Sequence, residues 1–219
     1  MSKVIIFGVS DFAQLANYYL CNDSEHNVVA FCVDGEYLPE SEEFCSLPVV
    51  TFESVESIYP PNEYQFFAPM SPSNMNQDRA RIFYAIKDKG YSLISYVSSR
   101  AFISNNKIGE NCFILEDNTL QPFTDIGDNV SLWSGNHIGH HGRIRDHVSF
   151  TSHVVMSGHC DIGEYSFLGV NATLRDGITL AEGTLLAMGG MLTKDTEAWG
   201  LYTGAPAQKS SKSSKDIKF

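Results

Sequence analysis

The chain runs to 219 residues, 43% of them apolar and 19% charged, with a formal net charge of −11. That length holds one large domain or two small ones, each able to bury a core without disulfides. The acidic balance argues against a nucleic-acid partner, because phosphate binding needs a basic surface, and no apolar run approaches the roughly 18 residues of a membrane span.

The N-terminus, Met1-Ser2-Lys3-Val4-Ile5-Ile6-Phe7-Gly8, lacks the long apolar stretch and small-residue cleavage site of a signal peptide, so a cytoplasmic protein is expected. Residues 4–9 predict a buried strand, residues 11–21 a helix with Ser10 or Asp11 as N-cap, and residues 28–33 a second buried strand. Further strands are expected over 64–68 and 93–97, with an amphipathic helix over 78–89 ended by Gly90. These elements predict an α/β, Rossmann-like nucleotide-binding domain over residues 1–100. In its first βα turn, Gly8-Val9-Ser10-Asp11-Phe12-Ala13, backbone N–H groups and the helix N-terminus can receive phosphate oxygens. Only one glycine of the dinucleotide fingerprint is present, and an ordinary tight turn is the alternative. Asp34, at the end of the second strand, stands where an acid meets a ribose or base, or else is a turn residue before Gly35.

Beyond residue 100 the period changes to six. A bulky apolar residue recurs at Ile108, Ile114, Leu120, Ile126, Leu132, Ile138, Ile144, Phe150, Met156, Ile162, Leu168, Leu174, Leu180, Leu186 and Leu192, a run expected by chance on the order of once in 10⁶. Four residues after each stands a mostly small or modest one, from Cys112 and Asn118 to Gly190 and Thr196. Hexads of this kind make the flat faces of a triangular coil, three to a turn, so residues 101–203 predict an all-β left-handed parallel β-helix of 18-residue coils. Residues 204–219 leave the repeat and become rich in Ser and Lys, as a mobile tail does.

Six of the seven histidines lie between 137 and 159: His137, His140, His141, His147, His153 and His159. On an 18-residue coil His141 and His159 stack, and His140 lies above Gly158, which leaves space beside it and makes His140 the candidate reactive group. The alternative is that these are surface or interface residues. Their spacing matches no zinc signature and no Cys or carboxylate completes one, so no metal is expected. The five cysteines form no C-x-x-C pair and are expected as reduced, mostly buried thiols.

From Ile5-Ile6-Phe7-Gly8 through Asn136-His137-Ile138-Gly139-His140-His141 and Phe167-Leu168-Gly169-Val170-Asn171-Ala172 to Gly204-Ala205-Pro206-Ala207, the chain resembles the hexapeptide-repeat sugar acyltransferases of the sialic acid O-acetyltransferase (NeuD) type, which include bacterial nucleotide-amino-sugar N-acetyltransferases. The resemblance implies a homotrimer with acetyl-CoA in the groove between adjacent β-helices. It implies nucleotide-sugar phosphates near the first βα turn, at Gly8, Ser10 and Asp11, with Asp34 beside them. Phe12 replaces a His often found in that turn and Ser10 a Gly. It also implies His140 as general base, next to His141 where some members have Glu, and Gly169, Ala187 and Gly204 as contacts to CoA. Gly158, without a Cβ, is the candidate backbone donor to the thioester oxyanion. The expected activity is direct N-acetylation of a nucleotide-linked amino sugar for surface glycans. Sugar O-acetylation and a non-catalytic trimeric nucleotide-binding protein are the alternatives.

Overall fold

The computed structural model describes residues 2–204. The Ala205-Pro206-Ala207 segment and the Ser/Lys-rich tail expected to be mobile lie outside the described residues.

Lys3–Phe7 (β1) and Asn27–Val33 (β2) carry the continuous apolar runs of strands covered on both faces. With Glu43–Phe44 (β3), Leu47–Thr51 (β4) and Tyr64–Phe67 (β5) they form a five-stranded sheet in the order β3-β4-β2-β1-β5. All pairs are parallel except the β3–β4 hairpin, whose turn residues Cys45 and Ser46 both have positive φ and so match the twist of the strands. β1 ends two residues before the expected Val9 because Gly8, at φ +106°, turns the chain into Asp11–Asn22 (α1). Ala13, Ala16 and Leu20 form the buried stripe of α1. A one-turn helix, Val55–Ile58 (α2), follows β4. Gln77–Asp88 (α3) buries Ala80, Ile82, Phe83 and Ile86, and Gly90 in the left-handed region stops it.

The single strand expected over 93–97 divides. Leu93 bridges to Phe66, whereas Tyr96–Val97 pairs with Phe113–Ile114 and opens the first face of the repeat, so that face starts ahead of residue 101. From here parallel two-residue strands stack in three sheets. The first face runs from Tyr96–Val97 to Leu201–Tyr202, the second from Phe102–Ile103 to Met191–Leu192, and the third from Asp125–Ile126 to Thr179–Leu180. Partners such as Ser131 and Ser149, or His137 and Val155, stand one coil apart. This repeating pattern fits a left-handed β-helix. The second residue of each strand points inward, and from Ile114 to Leu192 these side chains form one buried column. The coil interval breaks after Leu192: Leu201–Tyr202 pairs with Leu185–Leu186 after a loop and ends the stack.

Every sixth residue from Asn105 to Gly189 has positive φ. These are the corners, where L-residues are strained and Gly, Asn, Asp and His are best tolerated. His141, His147, His153 and His159 are all corner residues, so the same backbone requirement explains four of the six clustered histidines.

The two architectures share an interface. Phe113 and Leu115 of the first face join Val4, Ile6, Phe31 and Phe67 in one apolar core. Arg79 of α3, 3% exposed, donates to Ser149 Oγ at 2.6 Å and to Asn129 Oδ1 at 3.1 Å. No carboxylate bonds to it among the described residues, and burial lowers its pKa to about 10. All five cysteines are free, with Cys32, Cys112 and Cys160 buried.

Candidate functional site

His140 directly precedes the corner between the second and third faces, and His141 is the corner itself. The backbone N–H of His140 donates to Gln121 Oε1 at 3.1 Å, and its Nδ1 lies 3.0 Å from His141 Nδ1, one nitrogen donating to the other. Because corners repeat every coil, His159 stacks on His141 with centroids 5.2 Å apart, and Phe123 continues the column at 4.7 Å on the other side. The His140 ring stands nearly perpendicular to both other imidazoles at 5.1 Å. All three rings reach solvent.

Gly158 lies one coil beyond His140. A Cβ there would approach His140 Cε1 to 2.8 Å and Asp176 Oδ1 to 3.0 Å, so glycine lets the imidazole and the carboxylate close over bare backbone. Among the described residues the Gly158 N–H donates to no protein acceptor. The corner thus offers a base, a backbone donor and a nearby carboxylate, the set that acyl transfer uses. Gln121 and Asp176 were missed from sequence, although counting two coils on from His140 finds Asp176, and one coil back falls on Pro122, next to Gln121.

The second region is a cleft of about 370 Å³ at the C-terminal ends of the sheet strands, lined by Gly8, Ser10 and Asp34 together with Tyr37, Ser71, Ser73, Asp78 and Arg81. Ligands of open parallel sheets bind at such strand ends. Gly8 N–H donates to Cys32 O at 2.8 Å, which leaves the Val9 and Ser10 N–H groups and the first N–H groups of α1 as the turn's free donors among the described residues. Asp11 sits exposed in that first turn, outside the cleft lining. Phe12 packs edge-on against Trp133 of the β-helix, centroids 5.5 Å apart. Arg81 supplies a cation to the cleft of an acidic chain, and nothing in its helical spacing distinguished it from a solvated surface residue.

Gly169 and Ala187 stand one coil apart at the end of the first face, before the corner opposite to that of His140. A Cβ on Gly169 would come within 2.4 Å of Met188 N, so close coil stacking alone requires this glycine. Gly204 approaches Gly189 across the last coil. A single chain therefore brings Gly8, Ser10 and Asp34 together, brings His140, His141 and Gly158 together, and leaves Gly169, Ala187 and Gly204 away from both.

No family model matches the chain, nor does any curated protein sequence. Solved structures share its fold. A perosamine N-acetyltransferase from Caulobacter crescentus, in complex with CoA and GDP-perosamine, superposes with a TM-score of 0.81 at 20% identity, covering 97% of this chain and 98% of that one. The acetyltransferase domain of PglB from Neisseria gonorrhoeae, in complex with acetyl coenzyme A, gives 0.79 at 17% identity over 94% and 98% of the two chains. WeeI from Acinetobacter baumannii gives 0.78 at 19% identity over 95% and 99%.

Proposed function

We propose that this chain is an acetyl-CoA-dependent N-acetyltransferase acting on a nucleotide-linked amino sugar for surface glycans. A Rossmann-like domain over residues 1–100 would hold the nucleotide, a left-handed β-helix over 101–203 would carry out acyl transfer, and 204–219 form a tail. The observation that carries this reading is the match of the whole chain to the fold of a protein in complex with CoA and GDP-perosamine. No helix among the described residues is long and apolar enough to cross a membrane, and dependence on acetyl-CoA implies the cytoplasm.

In this reading the neutral imidazole of His140 takes the proton of the acceptor amine as its nitrogen attacks the thioester carbonyl. The Gly158 N–H meets the oxygen on which charge develops. When the C–S bond breaks, the proton on His140 passes to the leaving sulfur, and no acyl-enzyme is needed. His141 holds His140 through the Nδ1 contact. Gly8, Ser10 and Asp34 receive the nucleotide, Asp11 of the expected set lying outside the cleft, and Gly169, Ala187 and Gly204 receive CoA.

Those CoA residues and His140 lie at different corners, so a complete site needs a second copy. The outward side of the second face supports a homotrimer: Phe102 (62% exposed), Val155 and Met191 (70%) share its outward row with Thr119, His137 and Thr173, with Val170 and Met188 exposed at one edge and Phe123 (73%) at the other. Exposed apolar side chains interspersed with polar ones on a rigid face are suited to burial against another β-helix. The third face instead presents Asp125, Arg143 and Asp161, with Arg145 and Asp161 paired at 2.7 Å, and suits solvent.

The test is mass-checked product formation from acetyl-CoA with a panel of dTDP-, UDP- and GDP-linked amino sugars and matched hydroxyl sugars. Product with amino sugars alone is the expected result. Product with hydroxyl sugars alone would move the assignment to O-acetylation, and none with any acceptor would overturn the enzyme reading. Replacing His140 by Ala lowers turnover by roughly 10²- to 10⁴-fold with acetyl-CoA affinity little changed.

A further inference from the structure

The sequence spacing of the histidines suggests no metal, because their ligand nitrogens converge only once the coil closes. His140 and His141 are neighbours, and His159 is one coil on. In the fold, one nitrogen from each of the three lies within 4.8 Å of the other two. The closest pair, Nδ1 of His140 and Nδ1 of His141, is at 3.0 Å, against the roughly 3.3 Å edge that a tetrahedral ion with bonds of about 2.0–2.1 Å requires.

Two of the three imidazoles spring from corner residues, His141 at φ +55° and His159 at φ +58°, on backbone fixed by interstrand hydrogen bonds. The His159 N–H, for example, donates to the His140 carbonyl at 2.9 Å. The ligand set is therefore preorganised, and only side-chain rotation is needed to close it. Asp176, across Gly158 from His140, places a carboxylate beside the group, where a metal-bound imidazole gains from an acceptor for its second N–H.

We propose that His140, His141 and His159 bind a borderline divalent transition-metal ion, with Zn²⁺ the biologically available case, and that the ion silences the imidazole of His140. Three neutral imidazoles suit Zn²⁺, Ni²⁺ or Cu²⁺ and not the oxygen-seeking Mg²⁺ or Ca²⁺. The ion takes no part in acyl transfer; it competes for the lone pair of His140 that the reaction uses. Binding follows from the geometry of the three rings, whereas the effect on turnover rests on the reading of His140 as base.

The experiment uses untagged, chelator-stripped full-length protein titrated with ZnCl₂ by calorimetry and with CoCl₂ by visible absorption, alongside product mass from acetyl-CoA and the amino-sugar acceptor. The expected result is saturable binding at one site per chain, a tetrahedral Co²⁺ band, and loss of turnover that a chelator restores, with MgCl₂ inert. His159→Asn keeps a residue suited to the corner. It retains metal-free turnover while Zn²⁺ affinity and inhibition weaken by roughly 10- to 100-fold or more. Equal Zn²⁺ affinity in wild type and His159→Asn overturns the site, and tight binding with unchanged turnover overturns the silencing of His140. Should the wild type acetylate no acceptor, the proposed function fails while calorimetry and the cobalt spectrum still decide the metal site.

Discussion

In the β-helix, Ser131 pairs with Ser149 and Arg143 with Asp161, always one coil apart, and a two-residue strand is enough because its neighbours on both sides repeat it. In the α/β part, Lys3 pairs with both Asn27 and Tyr64, and Phe31 with Val49, intervals that share no period. A solenoid coil touches only its neighbours, so its stability is a sum of local terms; the sheet of β1, β2, β4 and β5 forms only when distant segments meet, and stands or falls together. Truncating the middle of the stack tests that contrast most severely. Phe150→Ala removes a fully buried ring from the β-helix core and is expected to cost about 3–5 kcal/mol, read from the urea midpoint. Amide exchange should then rise in the coils around Phe150 while β1 and β2 stay protected. Equal loss of protection in both parts would show a single cooperative unit.

Arg79 is a buried polar link between the two parts, beside their shared apolar core, and removing it sharpens the comparison. Arg79→Ala removes one donor each from Asn129, Ser149 and Asn76, of which Asn129 Oδ1 keeps Asn111 and Asn76 Oδ1 keeps Ser149, and is expected to cost about 3 kcal/mol. The same exchange experiment should show the α/β sheet and the first coils opening independently in the variant. If their protection factors still fall in step, the shared apolar core around Phe113 carries the coupling instead.

The legibility of the sequence follows the same division. The hexads revealed the inward column and the stacking of His141 on His159, because a fixed period turns residue number into position. The parallel strands β1, β2 and β5 were legible from their apolar runs. By contrast β4, interrupted by Pro48, and the short β3 were missed, since a two-residue edge strand has no pattern of its own. Tyr96–Val97 looked like the end of the sheet domain because an apolar dipeptide does not declare its partner. The same limit hid Arg79 and Arg81, two cations on one helix: one is buried against the β-helix and the other lines the cleft, and which is which depends on contacts across the interface.

A smaller effect separates the buried corner histidine from the exposed ones. His147 is 1% exposed, accepts from Asn129 Nδ2 at Nδ1 and donates through Nε2 to Tyr84 Oη at 3.0 Å. Asn129 Oδ1 is already taken by Asn111 and Arg79, which fixes this arrangement. Burial lowers the His147 pKa from 6.5 to about 4, with Arg79 adding to the shift and Asp146 opposing it. Between those values the unfolded chain binds a proton that the folded one does not, so stability is complete above about pH 6.5, falls as the pH drops, and levels off near 4. By pH 5 the loss amounts to about 2 kcal/mol. Unfolding midpoints across this range should show that slope, and His147→Asn should flatten it.

The exposed corner at His153 carries the least energy and bears most directly on why histidines cluster here. It has φ +59°, and a Cβ on Gly135 one coil before would come within 2.5 Å of its ring. If the corner selects residues for tolerance of the left-handed region, Asn does the same work as His. His153→Asn should therefore shift the urea midpoint by no more than about 0.5 kcal/mol and leave turnover and Zn²⁺ affinity as in the wild type. A large loss of turnover would mean that the histidine-rich stretch contributes chemistry at a second corner, and that the backbone accounts for fewer of its residues than the sixfold spacing implies.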